Sequence, residues 1–369
     1  MYDVAVVGGG VVGISTAYEL VSAGASVVLF DRRDAGRATD AGAGIISSGS
    51  DPNHHDPYYR LVGRAEHHYR DLVHRLAEDG CQDTGYAVCG ALWVAVDERE
   101  GAEFKRSTLG VPEGDGRDGV AVVTAERARE IFPPLGDVTG ALYSPGTARV
   151  DGRQLASAIG QAAEDRGLTA QNCSVDDLVV KAGSVTLETA DGSVEAGHLV
   201  IAGGAWTQDF GDRLGVHIPV GPQRGQIIHL DVGDQDTTDW PIITGMGEHY
   251  TVCWPDNRVV VGATREASAG FNPVTTVEGL MEVMYEAIRV APGLRTASIR
   301  DIRVGLRPLS QDGMPVLGAV PGYDRVHVVT GHGPMGLHLG PYSGKVAADA
   351  ILNADWPSET MAFGVERFL

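Results

Sequence analysis

A glycine-rich turn near the start of the chain limits the folds open to it. The stretch DVAVV is a short β-branched run, typical of a strand buried on both faces. Gly8, Gly10 and Gly13 then supply the spacing GxGxxG. A helical pattern covers residues 11–23 and stops at Gly24, and SVVLFD follows as a second strand. This order of strand, glycine turn, helix and strand predicts a βαβ unit.

The same turn has the chemistry of a dinucleotide site. Gly8 permits a tight turn, Gly10 lets a pyrophosphate approach the backbone, and Gly13 lets the helix pack on the strand. Asp31 ends the second strand, where a carboxylate accepts hydrogen bonds from a ribose and disfavours a 2′-phosphate. The alternative is a purely structural turn. We predict a dinucleotide site that also includes the adjacent residues Val11, Val12 and Arg32.

The charge balance argues against nucleic acid and membrane partners. Asp and Glu number 49 against 29 Lys and Arg, a formal net charge of −20. A general attraction to nucleic acid or anionic lipid is therefore not expected. No basic leader precedes the first apolar run, and no apolar stretch reaches the roughly 18 residues that a membrane span needs. We expect a soluble, cytoplasmic protein without an integral membrane segment.

Cysteine and histidine usage predicts neither disulfides nor a metal. The cysteines are few, scattered and without a CxxC pair, so we expect reduced thiols at Cys81, Cys89, Cys173 and Cys253. His67, Asp71 and His74 would share one face of a helix predicted over about 57–77, at spacings that suit a metal. A solvated polar face explains them as well, and we predict no metal site.

The secondary-structure pattern changes along the chain. Short strands and loops fill about 81–140, and long strands with one helix fill about 216–300, whereas the flanking regions keep the α/β pattern. We predict an α/β fold in which a Rossmann-like dinucleotide-binding domain carries an inserted antiparallel-sheet α+β substrate domain. The predicted binding domain comprises 1–80, 141–215 and 301–369, and the substrate domain comprises 81–140 and 216–300.

Motifs along nearly the whole chain resemble one enzyme superfamily. They are GGGVVG, FDRR, TDAGAGI, VDGRQLASAI, LVIAGGAW, PVGPQRGQ, GLRPLSQDGMPVLG and TGHGPMGLHLGP. Their order is similar to that in the FAD-dependent D-amino-acid oxidase, glycine oxidase and sarcosine oxidase superfamily, and the spacing looks closest to glycine oxidase and D-amino-acid dehydrogenase. The resemblance implies an FAD-binding domain and oxidation of the C–N bond of a small amino acid or N-alkyl amino acid. It also implies hydride transfer to flavin N5, hydrolysis of the imine product, and oxygen or another electron acceptor.

The resemblance also assigns residues to the cofactor. Thr39, Ala43, Gly44 and Ile45 would follow the flavin side of the pyrophosphate. Val175 would lie near the adenine, with Gly203 and Gly204 beside the dinucleotide. A turn under the isoalloxazine would contain Gly331, His332, Gly333, Met335, Gly336 and Leu337. The helix after this turn would stabilise negative charge on the reduced flavin.

Arg307, in GLRP, is the candidate for holding the substrate carboxylate, because a guanidinium offers a rigid fork of donors. Its alternative is an ordinary salt bridge. Tyr250 would contact the same carboxylate, with His249 as the competing residue and a structural tyrosine as the other alternative. His332 is a catalytic candidate through its side chain, or a loop residue that presents only its backbone.

The region RPLSQDG lacks the cysteine through which sarcosine oxidases attach their flavin, so the resemblance implies non-covalent FAD. The segments expected beside the flavin offer Asp40, Arg307 and His332 as their readily ionisable groups, which argues against an obligatory general base. Two other functions stay open. One is a dehydrogenase that passes electrons to a quinone or carrier protein, and the other is a catalytically silent dinucleotide-binding sensor.

Overall fold

The computed structural model describes residues 1–47, 49, 51–117 and 119–369. The helices, in chain order, are α1 (Val11–Ser22), α2 (Ala38–Ala41), α3 (Pro57–Glu78), α4 (Glu98–Ser107), α5 (Ala125–Ile131), α6 (Gly152–Asp165), α7 (Thr207–Leu214), α8 (Val277–Val290) and α9 (Gly336–Asn353). The strands are β1 (Tyr2–Val7), β2 (Val27–Phe30), β3 (Ile45–Ile46), β4 (Ala87–Val88), β5 (Ala91–Ala95), β6 (Ala121–Val122), β7 (Gly140–Ser144), β8 (Ala148–Arg149), β9 (Thr169–Gln171), β10 (Asp177–Val180), β11 (Val185–Thr189), β12 (Gly192–Ile201), β13 (Val220–Asp231), β14 (Ile242–Thr244), β15 (Tyr250–Trp254), β16 (Arg258–Gly262), β17 (Ser298–Ser310), β18 (Val316–Val320) and β19 (Tyr323–Thr330). Short 3₁₀ turns lie at Gly204–Trp206, Ala267–Ala269, Pro292–Thr296, Gly333–Met335, Ser358–Phe363 and Val365–Phe368.

The first sheet has a parallel centre. β1 lies between β2 and β12, parallel to both, and β9 and β19 extend the parallel set. β10 and β11 form an antiparallel hairpin beside the start of β12, and β18 pairs antiparallel with β19. Helix α1 packs against α6 and α9. The carboxyl ends of β1, β2, β12 and β19 therefore meet at one edge, where α/β sheets of this kind bind ligands.

The second sheet is mostly antiparallel, in the order β17-β13-β16-β15-β14-β5-β7-β6. β13 and β17 pair along almost their whole lengths, from Val220 opposite Ser310 to Asp231 opposite Ser298. Helix α8 buries Val283, Ala287 and Val290 in the core on this sheet. A small third sheet joins β3, β8 and β4. The long β13–β17 pair holds the residues of GLRP in a defined register.

The predicted α/β class with a Rossmann-like unit is confirmed by these sheets. Positions 141 and 301, where two of the predicted boundaries lie, fall inside β7 and β17, which are hydrogen-bonded members of the second sheet. A division that keeps the sheets whole falls after Ser144 and after Ser310. The division of the chain into two domains stays a prediction.

Several histidines are buried, and burial is the main cause of a pKa lowered to about 4 in His68, His229, His327, His332 and His338. An apolar environment disfavours the charged ring. Neither ring nitrogen of His229 has a hydrogen-bond partner among the described residues. Each of these rings is therefore neutral in the folded protein at pH values where an exposed histidine is already protonated.

We expect the free energy of unfolding to decrease as the pH falls from about 6.5 to about 4. In this interval histidines of the unfolded chain bind protons while the buried rings stay neutral. Replacing His229 by Asn should reduce the slope by up to about 1.4 kcal/mol per pH unit, measured by urea unfolding at several pH values. His74→Gln is the control, because the His74 side chain is 72% exposed. Equal slopes in His229→Asn and the wild type would contradict the expectation.

Candidate functional site

A cavity of about 390 Å³ lies between the carboxyl edge of the first sheet and the second sheet. The first sheet contributes the turns that follow β1, β2, β12 and β19. The second sheet contributes Tyr250 and Arg307, and the segment after β16 contributes Arg265. Segments that are far apart in the sequence therefore share one cavity.

The glycine turn after β1 leaves no room for side chains at two positions. Gly8 has φ +105°, and a Cβ there would lie 2.2 Å from the carbonyl oxygen of Ala202. A Cβ on Gly13 would lie 1.9 Å from the carbonyl oxygen of Gly8. Gly8 lines the cavity, whereas Gly13 does not. Gly13 thus has the packing role that the motif assigns to it and no direct place in the cavity wall.

The start of helix α1 faces the cavity. Gly10 precedes the helix and lines the cavity together with Val11 and Val12. The backbone N–H of Val11 donates to Oγ1 of Thr39 at 3.0 Å. Because the first N–H groups of a helix carry partial positive charge, this wall suits a pyrophosphate.

Asp31 and Arg32 line the cavity beyond the end of β2. Oδ2 of Asp31 lies 3.0 Å from Nη1 of Arg37, and Oδ1 accepts from the backbone N–H of Arg33 at 3.1 Å. The guanidinium of Arg32 lies 5.9 Å from the centre of the Trp206 ring. The predicted ribose-binding carboxylate is thus present at the cavity, and Arg37 balances its charge.

Val175, Gly203 and Gly204 line the cavity near the same side, together with Cys173 and Arg213. Nη1 of Arg213 donates to the carbonyl oxygen of Val175 at 2.9 Å. Val175 is buried, so it offers an apolar contact of the kind an adenine ring uses. The structure thus brings these residues together at one part of the cavity, and their roles toward the adenine and the dinucleotide stay predictions.

The segment from the end of α2 to the start of β3 supplies Ala43, Gly44 and Ile45, which line the cavity with Thr39. Gly44 has φ +75°, and a Cβ there would lie 1.7 Å from the carbonyl oxygen of Val150. The Val150 N–H donates to the Gly44 carbonyl at 2.8 Å. The loop is therefore fixed against the chain around β8.

The turn after β19 forms the wall beneath α9. Gly331 has φ +75° and packs against Val316, outside the cavity. The following predicted residues do line it, namely His332, Gly333, Met335, Gly336 and Leu337. Helix α9 begins at Gly336, so its amino end also faces the cavity.

His332 is only 3% exposed, and its Nε2 lies 3.0 Å from Oγ of Ser343. Its Nδ1 has no partner among the described residues. Burial lowers the pKa of His332 to about 4, so the ring is neutral at neutral pH. A neutral ring held by Ser343 is better suited to hydrogen bonding than to carrying charge.

Arg307 lies on β17 opposite Gln223 of β13. Its Nη1 donates to the Thr264 carbonyl at 2.9 Å and contacts Oε1 of Gln223 at 3.4 Å. A Cβ on Gly225 would lie 2.5 Å from the guanidinium, so this glycine makes room for it. Within the described part of the chain no carboxylate forms an ion pair with Arg307.

Tyr250 and His249 have different surroundings. The Tyr250 side chain lines the cavity, and its hydroxyl interacts with Arg307. Burial is the main cause of a raised Tyr250 pKa, which keeps the phenol protonated at neutral pH. Nε2 of His249 lies 3.2 Å from Glu282 on α8, and His249 does not line the cavity. Tyr250 is therefore the better placed of the two alternatives.

Sequence reasoning missed several cavity residues. Nδ1 of His338 lies 3.3 Å from Oγ of Ser47, and its Nε2 lies 3.1 Å from the Val62 carbonyl. Arg265 lines the cavity and pairs with Glu248 at 2.7 Å. His338 occurs in the quoted motif GPMGLHLGP, which was the signal available for it. Glu248 precedes β15 and Arg265 follows β16, and no motif in the surrounding sequence identifies either residue as part of a site.

The cavity fits FAD. Its walls contain glycines where a Cβ would fill the space or strike backbone, and helices α1 and α9 both begin there. The unpartnered Nδ1 of His332 is a buried polar atom at the same wall. A bound dinucleotide with a flat ring would use each of these features.

The residues weighed as metal ligands lie on helix α3, and the helices of the chain also bear on the membrane prediction. His67 contacts the Gly63 carbonyl at 2.8 Å, and His74 lies 3.6 Å from Glu78, so both have helix partners. Within the described ranges, no group of His, Cys, Asp and Glu is arranged to hold a metal ion. No helix of the described chain has the length and apolar character needed to cross a membrane.

Comparison with known proteins agrees with the motifs and the cavity. Residues 3–350 match the DAO family, described as FAD dependent oxidoreductase. The "Uncharacterized oxidoreductase YurR" of Bacillus subtilis (strain 168) is 35% identical over 354 residues, which cover 94% of each chain. The crystal structure of iminodiacetate oxidase from Chelativorans sp. BNC1 covers 98% of each chain, with 34% identity and a TM-score of 0.87. That of glycine oxidase from Geobacillus kaustophilus covers 100% of this chain and 99% of its own, with 26% identity and a TM-score of 0.87. The predicted resemblance is confirmed, and the chain belongs to the DAO family of FAD-dependent oxidoreductases.

Proposed function

We propose that the protein oxidises the C–N bond of a small amino acid or N-alkyl amino acid. The observation that carries this proposal is a partly buried arginine, Arg307, that lines the cavity without a carboxylate partner among the described residues. An arginine in such a place requires an anion, and a substrate carboxylate supplies one in the fork geometry that guanidinium groups favour. The related proteins named for glycine and iminodiacetate oxidation support this choice.

In this proposal the side chains of the protein hold the substrate in position for the reaction. Arg307 and the protonated hydroxyl of Tyr250 together offer donors to one carboxylate. Thr264 and Gln223 are neutral acceptors, so they orient Arg307 without cancelling its charge. A carboxylate held at this point fixes the neighbouring carbon and nitrogen in one orientation, which is the main contribution that binding makes to a hydride transfer.

When bound, FAD supplies N5 as the acceptor of the hydride that leaves the substrate carbon. The substrate nitrogen must carry a free lone pair, which forms the C=N bond as the hydride departs. Water then hydrolyses the imine to a carbonyl compound and an amine or ammonia. No step requires a protein base to remove a proton from carbon, and neutral His332 is not needed as one.

The first test of this proposal is anaerobic flavin bleaching with a panel of glycine, sarcosine and D- and L-amino acids. We expect at least one of them to bleach the wild type, and Arg307→Ala to weaken its binding by about 30-fold or more, since removing one partner of a desolvated charge pair costs at least about 2 kcal/mol. The flavin absorption spectrum should stay nearly unchanged. Arg303→Ala is the matched control on the same strand, because Arg303 pairs with Asp301 at 2.8 Å. Normal turnover by Arg307→Ala would show that the carboxylate binds elsewhere.

The rate of anaerobic flavin reduction should rise with pH through a single ionisation, that of the bound substrate amine, and then level off. His332→Ala should keep this profile and retain a plateau rate within about tenfold of the wild type, less than the 10²- to 10⁴-fold that general-base catalysis supplies. Stopped-flow absorbance across the pH range measures both quantities. A loss of several orders of magnitude in His332→Ala, with FAD still bound, would show that His332 is the base.

We expect acid precipitation of the holoprotein to release intact FAD into the supernatant. The reason is the position of Cys173, a cysteine that lines the cavity. It lies on the side of Val175 and Arg213, where the adenine is expected, and so it is not placed to form a covalent bond with the isoalloxazine ring. The apoprotein should also melt at a lower temperature than the holoprotein, because a ligand that binds only the folded state stabilises it. Flavin that stays with the precipitated polypeptide would contradict non-covalent binding.

A further inference from the structure

A second guanidinium group lies at the substrate end of the cavity. Arg265 follows β16 and lines the cavity together with Tyr250 and Arg307. It directly succeeds Thr264, whose carbonyl oxygen accepts from Arg307 at 2.9 Å. The backbone around Thr264 thus places both arginines at one site.

The electrostatic partners of the two arginines differ. Arg307 is held by neutral acceptors. Arg265 pairs with Glu248 at 2.7 Å, but the Glu248 side chain is 65% exposed and that of Arg265 is 35% exposed. An ion pair so accessible to water contributes little stability, about 0–1 kcal/mol. Glu248 can therefore leave Arg265 for solvent at small cost when another anion arrives.

The substrate end consequently holds more positive than negative charge. Arg265 and Arg307 contribute two cations, and Glu248 is the nearby carboxylate that lines the same end. Burial is the main cause of a lowered Arg307 pKa, and the charge of Arg265 lowers it further, so the two guanidinium groups are close enough to repel each other. A single substrate carboxylate neutralises Arg307 and leaves Arg265 paired with the exposed Glu248. A second carboxylate that takes the place of Glu248 would keep Arg265 neutralised while Glu248 returns to solvent.

We propose that Arg265 binds a second carboxylate of the substrate, so that the enzyme prefers amines that carry two carboxylates. One carboxylate binds Arg307 and Tyr250, and the other replaces Glu248 at Arg265. The second carboxylate lies either on the nitrogen substituent, as in iminodiacetate, or on the side chain, as in aspartate. This assignment rests on the proposed function, and it adds a specificity determinant to it.

Binding is measured first, with compounds that cannot be oxidised at a C–N bond. Thiodiacetate and its monoamide have nearly the same size and differ by one negative charge. Titrations of the FAD-loaded enzyme, followed by calorimetry and by the flavin absorption spectrum, should show tighter binding of thiodiacetate. Arg265→Gln should weaken the binding of thiodiacetate by about tenfold and leave the binding of the monoamide nearly unchanged. The effect is modest because water screens a partly exposed charge.

The variants separate a binding role from a structural one. Arg265→Lys should recover part of the preference, because it keeps the charge and loses the fork. Glu248→Gln should strengthen thiodiacetate binding, because it removes the competing anion. Arg300→Gln is the matched control, since Arg300 also forms an exposed pair, with Asp256 at 2.9 Å, outside the cavity. Equal binding of the two compounds by the wild type, or an equal loss of both in Arg265→Gln, would overturn the proposal.

Turnover then distinguishes the two sources of the second carboxylate. The values of kcat/KM are compared within two pairs, iminodiacetate with its monoamide and aspartate with asparagine. In one of these pairs the diacid should have the higher kcat/KM, and Arg265→Gln should abolish this preference. Faster turnover of both neutral amides than of their diacids would contradict the proposal. If no amine bleaches the flavin while the preference for thiodiacetate persists, the proposed function fails and the two-carboxylate site stands.

Discussion

Close backbone packing at the carboxyl ends of β1 and β12 is the constraint on which the cofactor wall depends. Gly8 and Ala202 approach so closely that a single methyl group on Gly8 would meet a carbonyl oxygen. Gly13 packs against Gly8 in the same way, which brings the start of α1 up to the sheet edge. Atoms in such contact cannot shift independently, so the helix end, the strand ends and the loops after them form one rigid surface. The glycine pattern therefore specifies a surface for backbone contact with a ligand.

The two sides of the cavity differ in how their charges are balanced. Beside β2, Asp31 is paired with Arg37, so that side is nearly neutral before any ligand binds. At the second sheet, Arg307 has neutral partners and Arg265 has an exposed one. A dinucleotide wall needs shape and backbone amides more than net charge, because the amino ends of helices already favour the pyrophosphate. In the proposed function, the substrate end would use its unbalanced charge to select an anion.

The local part of this arrangement could be predicted from the sequence. The βαβ unit, the helix over 57–77, found as Pro57–Glu78, and the glycine turns depend on periodicity and on residues a few positions apart. The family was also accessible, because its motifs recur in order along the chain. The membership of β17 in the second sheet could not be predicted from the sequence, because it depends on pairing with β13, which lies about 80 residues earlier in the chain. Arg265 was missed for the same reason, because only the packing of β13, β16 and β17 brings it to the same cavity as Arg307.

The uneven distribution of ionisable groups bears on how catalysis and specificity are divided. His332, which lies in the turn predicted to run beneath the flavin, is buried and neutral, and its Nε2 contacts Ser343. The charged groups proposed to bind the substrate are Arg307 on β17 and Arg265 after β16, and in the proposed function they would contact parts of a substrate that do not react. Such an arrangement applies binding energy at a distance from the reacting carbon and uses it for orientation. Relatives with the same cofactor wall can then accept different amines by changing residues such as Arg265, because these changes leave the glycine turns and α9 untouched.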